Sequence, residues 1–125
     1  MDELTDQEFE AANERGRVHF ETEPHAKSAS YDAKTGMVTV DLFNGCRFSF
    51  PARELQGLER ATDQQLAEVE VLGVGFGLHW ESLDADFTVP GLLAGRFGNK
   101  THMEARHARL RAILADMTGE HRQAA

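Results

Sequence analysis

From Lys27 onward apolar and polar positions alternate with period two through "KSASY", "MVTVDLF" and "CRFSF", with "DAKTG" and "NG" between the runs. Such runs bounded by turn residues predict a three-strand antiparallel meander. The second hairpin allows a test of register. A two-residue Asn44-Gly45 turn would set Val40 opposite Ser49 and Leu42 opposite Arg47, mixing apolar and polar on each face. A three-residue loop, Phe43-Asn44-Gly45 with Gly45 left-handed in a bulge, sets Val38, Val40 and Leu42 opposite Phe50, Phe48 and Cys46. One face is then wholly apolar, so this register is expected.

The rhythm then shortens. Pro51 to Gln56 predicts a short helix with proline in its first turn and Gly57 ending it. Thr62-Asp63-Gln64-Gln65 has the form of a capping box, after which Val69 to Val71 returns to strand alternation with Glu68 and Glu70 facing water. Thr88 is expected to cap a short helix through Pro90, Leu92 and Leu93, ended by Gly95. Upstream, Thr5-Asp6-Gln7-Glu8 is another capping box, with Leu4 and Phe9 placed as a hydrophobic staple. Its helix reaches about Gly16, with Phe9 and Ala12 on a thin apolar face, and Thr22-Glu23-Pro24 marks a linker.

The tail, "THMEARHARLRAILADMTGE", has the clearest helical period. Met103, His107, Leu110, Leu114 and Met117 recur at three and four residue steps with Ile113 beside them, while Arg106, Arg109 and Arg111 point to other faces. Two heptads are too few for a coiled coil, so this seam folds back on the body or meets another chain. The fold class expected is α+β: a small antiparallel sheet, a three-strand meander plus further strands, with short helices, an N-terminal helix and a C-terminal amphipathic helix. Three parts follow: an acidic helix and linker at 1–24, an α+β domain at 25–98, and the amphipathic helix and tail at 99–125.

A chain of 125 residues is the size of one domain with one core. Its net charge of −8 is uneven: residues 1–24 carry −6, residues 25–95 carry −5, and residues 96–125 carry +3. An acidic head and body disfavour direct nucleic-acid binding, which needs many bases against phosphate. The single cysteine, Cys46, can form no internal disulfide and is expected as a small buried hydrophobe in a reducing compartment. No apolar run approaches the roughly 20 residues of a membrane span, and "MDELTDQEFE" is the opposite of a signal peptide. A cytoplasmic protein without membrane contact is expected.

Candidate chemistry concentrates in "LGVGFGLHWESLDAD", Leu72 to Asp86. Gly73, Gly75 and Gly77 form G-x-G-x-G, which lacks the spacing of a dinucleotide loop and the lysine of a P-loop. They are expected to relieve crowding at a strand crossing. His79-Trp80-Glu81 is the first half of a zinc deaminase motif, but the downstream cysteine pair is missing. His79, Glu81, Asp84 and Asp86 form a weak candidate set for a metal held by nitrogen and oxygen ligands. The stronger expectation is structural: Leu78, Trp80 and Leu83 face the core, His79 and Glu81 face out, and Asp84 and Asp86 bond to turn amides. The remaining histidines, His19, His25, His102, His107 and His121, are expected on the surface. No catalytic residue and no cofactor is assigned.

Residues "YDAKTGMVTVDLFNGCRFSFPARELQGLERAT", "QLAEVEV" and "GFGLHWESLDADFTVPGLLAG" together resemble the bacterial family of domain of unknown function 2442, from about Ala26 to Gly95. The most specific block is Gly77-Leu78-His79-Trp80, followed by Leu83-Asp84, Asp86, Val89 and Gly91-Leu92-Leu93. An N-terminal helix is similar to that of a long-chain subgroup. The resemblance implies a small α+β domain without established catalytic residues, whose members often stand in toxin–antitoxin-like gene pairs. A non-enzymatic protein-binding module follows, an antitoxin-like partner of a small toxin. It would engage a protein partner or a second copy through Met103, His107, Leu110, Ile113, Leu114 and Met117. The alternative is an acidic mimic of nucleic acid that inhibits a DNA- or RNA-handling protein; a metal-dependent enzyme ranks below both. Long-chain members commonly end in a basic tail rich in glycine and lysine, whereas this chain ends in the amphipathic helix and "HRQAA".

Overall fold

The computed structural model describes residues 23–124, with side chains as far as Thr118. The helix expected from Thr5 lies outside the described residues. Six strands form two antiparallel sheets: β1 (Ala26–Asp32), β2 (Met37–Leu42) and β3 (Arg47–Pro51) in one, and β4 (Glu70–Leu72), β5 (Gly77–Trp80) and β6 (Ala85–Thr88) in the other. Between them lie α1 (Asp63–Leu66), α2 (Val89–Leu93) and a long C-terminal helix, α3 (Lys100–Ala124). The molecule is α+β, as the periodicity predicts.

The meander takes the register that keeps one face apolar. Val38 pairs with Phe50 and Val40 with Phe48, and Gly45 is left-handed at φ 90°. The Leu42 amide donates to the Cys46 carbonyl at 2.8 Å, and the Asn44 side chain accepts from the Cys46 amide at 2.9 Å. Val38, Val40, Leu42 and Phe50 are buried, while Thr39 and Ser49 share a hydrogen bond of 2.8 Å on the outer face. Cys46, expected inside, is exposed. The strand begins only at Arg47, so Cys46 lies on the turn beyond the reach of the core.

Two other expectations change. In place of a helix over Pro51 to Gln56 there is a single 3₁₀ turn, Ala52–Glu54. Leu55 breaks it by turning extended, with ψ 138°, and is fully buried: its burial overrides continuation of the helix. His25, expected on the surface, is buried between the rings of Phe43 and Phe76, and its Nδ1–H donates to the Glu23 carbonyl at 3.0 Å. It sits where the two sheets meet.

The capping box at Thr62 forms in full, the Thr62 hydroxyl accepting from the Gln65 amide and the Gln65 side chain from the Thr62 amide. Asp63, next in line, accepts from the Tyr31 hydroxyl at 2.7 Å and from Arg53 at 3.1 Å, which ties α1 to β1 and to the 3₁₀ turn. Those two donors hold its carboxyl below the ordinary aspartate range. Leu66 then points into the core, and its carbonyl accepts the indole N–H of fully buried Trp80 at 3.1 Å. Trp80 meets Phe87 edge to face at 6.1 Å.

β1 runs beside β4, and a backbone hydrogen bond ties the two sheets together. The Ala26 amide donates to the Gly75 carbonyl at 2.6 Å, in the turn between β4 and β5. Gly75 is left-handed at φ 97°, and a Cβ there would overlap the backbone of Ala26. Gly73 is also left-handed, at φ 63°, but has open space around it. Gly77, expected to share this role, does not: its φ is ordinary and an added Cβ would make only normal contact with Leu72 at 3.6 Å. Crowding is relieved by one glycine and the turn is shaped by a second.

Gly73→Ala should cost only the left-handed conformation, about 1–2 kcal/mol. Gly75→Ala adds a backbone overlap that neither sheet can yield to, and should cost on the order of 3 kcal/mol or more. Urea unfolding of both variants checks this; equal losses would mean that the close approach to Ala26 is unimportant.

Candidate functional site

Strand alternation decides what lies on the outer face of the second sheet. With Leu78 and Trp80 directed inward, His79 must point outward. The ladder sets Glu70 of β4 opposite His79, and Asp86 of β6 opposite it on the other side. Glu81, two residues beyond His79, returns to the same face at the start of a second 3₁₀ turn, Glu81–Leu83. A central histidine is thus surrounded by three carboxylates.

The imidazole Nδ1 lies 2.6 Å from Asp86 Oδ1, and Nε2 lies 2.7 Å from Glu81 Oε2. With a carboxylate on each nitrogen, both ring N–H groups donate and the ring is an imidazolium. The hydrogen bond to Glu81, then that to Asp86, raises its pKa to about 9. Its side chain is only 14% exposed, whereas Glu81 and Asp86 are 81% and 65% exposed, so the ring is fixed and its partners face solvent. Asp86 also lines an open cleft of about 370 Å³ bounded by Gln56, Gly57, Leu83 and Gly98.

Of the four residues proposed from the sequence as a weak metal set, His79, Glu81 and Asp86 come together and Asp84 does not. Asp84 ends the 3₁₀ turn in the left-handed region, at φ 46° and ψ 47°, a conformation aspartate tolerates better than most residues. Asp86 bonds to the His79 ring rather than to a turn amide. Glu70 was missed because it joins through strand pairing across the Gly73–Phe76 turn. Its outward alternation in Val69-Glu70-Val71 was the available signal.

The C-terminal helix presents the second candidate surface. Asn99 caps it, its side chain accepting from the His102 amide at 2.9 Å. Its root is held by the end of the first 3₁₀ turn and the residues just after it. The Gln56 amide donates to the Phe97 carbonyl at 2.8 Å, and the Gln56 side chain accepts from the Asn99 amide at 2.8 Å. His102 Nε2 donates to the Glu54 carbonyl at 2.7 Å, and Arg109 donates to the Glu54 carboxylate at 2.6 Å. Arg106 lies over the ring of buried Phe97, 4.6 Å from its centroid.

The seam read from the sequence therefore divides. Met103 packs against the body's own core and its sulfur accepts from the Phe97 amide at 3.3 Å, so it is not available to a partner. His102, expected on the surface, is half-buried by its bond to Glu54. Beyond Arg109 the apolar side chains stay outside: Leu110, Ile113, Leu114 and Met117 are 48–64% exposed, and His107 is exposed beside them. Among the described residues, no helix is long and apolar enough to cross a membrane.

Residues 26–98 match the profile of a family described as "Protein of unknown function (DUF2442)". A crystal structure of a protein of unknown function from Rhodospirillum rubrum is similar at 57% identity, covering 64% of this chain and 96% of that one, with a TM-score of 0.62. An uncharacterized protein from Chromobacterium violaceum, solved by NMR, is similar at 27% identity over 85% of this chain and 96% of that one, with a TM-score of 0.60. No curated protein matches.

The His79 pair network has a pH signature. Its pKa is raised from 6.5 to about 9 on folding, so its contribution is fully present below about pH 6.5 and is lost as pH rises through about 9. Unfolding of the wild type and of His79→Gln in a chelating buffer should show a stability difference that shrinks between pH 6 and pH 10. A difference that stays flat across that range would show that the ring is not held as an imidazolium.

Proposed function

The chain belongs to the family described as protein of unknown function (DUF2442), and from that premise we propose that it is a non-enzymatic protein-binding module whose C-terminal helix enters an apolar groove on a partner. The observation that carries this reading is the split along α3: anchored through Arg109, it leaves Leu110, Ile113, Leu114 and Met117 uncovered by any described residue. From Leu110 to Ala124 the helix extends roughly 20 Å. Apolar anchors at i, i+3, i+4 and i+7 are the pattern of helix-in-groove recognition.

The small extent of the seam favours a groove over a second copy. A stable interface buries about 800 Å² on each partner. Four side chains over about one heptad fall short of that against an identical seam, whereas a groove contacts the helix on three sides. The resemblance to families in toxin–antitoxin-like pairs supports a finer reading, in which the partner is a small toxin encoded beside this chain in a bacterial cytoplasm. The mimic of nucleic acid has less support, because three of the carboxylates clustered beside the second sheet are already engaged. Glu81 and Asp86 are bound to His79, and Glu68 accepts from Ser82.

Co-expression with the product of the neighbouring gene tests this. A complex of defined stoichiometry by light scattering is expected. The double variant Leu110→Glu, Leu114→Glu should weaken it on the order of 30-fold, the effect of losing about 2 kcal/mol at an interface centre. Fold stability should change by no more than about 0.5 kcal/mol, since both positions are exposed. A neighbour that does not bind, or binds the double variant equally well, overturns the reading. A homodimer broken by the same substitutions would replace the heterologous partner with a second copy.

A further inference from the structure

We propose that Glu70, His79 and Glu81 form a binding site for a divalent transition-metal cation of the zinc type, with Asp86 orienting the histidine. The site stands on geometry independent of the helix seam. One ligand atom from each of the three residues can be chosen so that all lie within 4.8 Å of one another. Four-coordinate zinc takes nitrogen and oxygen at about 2.0–2.2 Å, which places its ligand atoms about 3.3 Å apart. His79 Nε2 and Glu81 Oε2 are 2.7 Å apart with a proton between them. Opening that pair by roughly 0.6 Å admits a cation in place of the proton. Glu81 can make that movement, because its side chain is 81% exposed and it stands in the 3₁₀ turn just beyond β5.

The other ring nitrogen is already arranged as a metal-binding histidine requires. Asp86 accepts from Nδ1–H at 2.6 Å, the carboxylate–histidine contact that fixes the tautomer and aims Nε2 at a metal. Glu70 comes within 4.8 Å of the same group from the neighbouring strand, opposite His79 in the ladder. A surface ion pair of His79 with two carboxylates does not call for this third carboxylate beside the ring. One imidazole and two carboxylates suit zinc, cobalt or manganese; magnesium prefers oxygen ligands alone. The exchange balances: the cation forms a bond to Nε2, the N–H bond there breaks, and one proton passes to solvent. Three protein ligands leave the remaining position to water. The bound ion would clip β4 to β5 at the end of the hairpin remote from the Gly73–Phe76 turn.

Calorimetric titration of the untagged full chain with zinc chloride tests the site. One equivalent should bind, with release of a proton and an upward shift in melting temperature. His79→Ala and Glu70→Gln should each weaken binding roughly tenfold or more, and Asp86→Asn should weaken it by a similar factor through the ring orientation. Glu68→Gln, in the turn before β4 and bonded to Ser82, should leave affinity within about twofold. Glu70 is exposed, so its variant folds and stays informative if His79→Ala does not. Absence of saturable binding, or binding that Glu70→Gln and His79→Ala leave unchanged, overturns the site. Stoichiometry and the Glu70 variant do not involve α3, so failure here leaves the helix-in-groove reading standing.

Discussion

The hydrogen bond from the Ala26 amide to the Gly75 carbonyl makes two small sheets into one frame. Three strands of three to seven residues are marginal alone, and each sheet here has only one face to bury. Joined at this point, their inner faces close over a shared core of Val38, Val40, Phe50, Leu78 and Trp80. The join requires a backbone approach so close that position 75 has no room for a side chain. It also covers His25, which packs between Phe43 and Phe76 beside the junction.

Everything outside that core follows from what the core demands. Trp80 enters the interior only if His79 leaves it, and the strands that flank β5 then bring Glu70 and Asp86 to the same ring. The cluster is thus the outward consequence of an inward packing choice. In the same way, Leu55 breaks a helical turn to reach the core, and the residues beside it, Glu54 and Gln56, are left facing the start of α3. They hold its root. The exposed half of the helix begins where those contacts end, at Arg109.

Local chemistry explains which features were legible. The capping box at Thr62, the bulged loop at Gly45 and the cap at Thr88 each depend on residues within four positions of one another, and each forms as its pattern predicts. Most of the expectations that changed concern distant partners. Cys46 has an apolar neighbour pattern but no core above it, and His25 has a polar side chain but a sheet junction around it. Asp84 lies two residues from Asp86, yet a left-handed turn separates it from the ring that Asp86 reaches. Met103 belongs to the helical seam by spacing and to the body by contact.

By itself the amino-acid sequence determined the α+β class, the strand register and the caps, because periodicity and short-range hydrogen bonding are properties of neighbouring residues. It also marked Leu72 to Asp86 as the densest stretch of the chain. Tertiary structure alone decided what that stretch does: Gly75 is needed and Gly77 is not, Glu70 replaces Asp84 beside His79, and part of the helical seam is already covered. Those outcomes depend on which strand lies beside which and where the core stops. Both are set by packing between segments far apart in the chain, which no local spacing encodes.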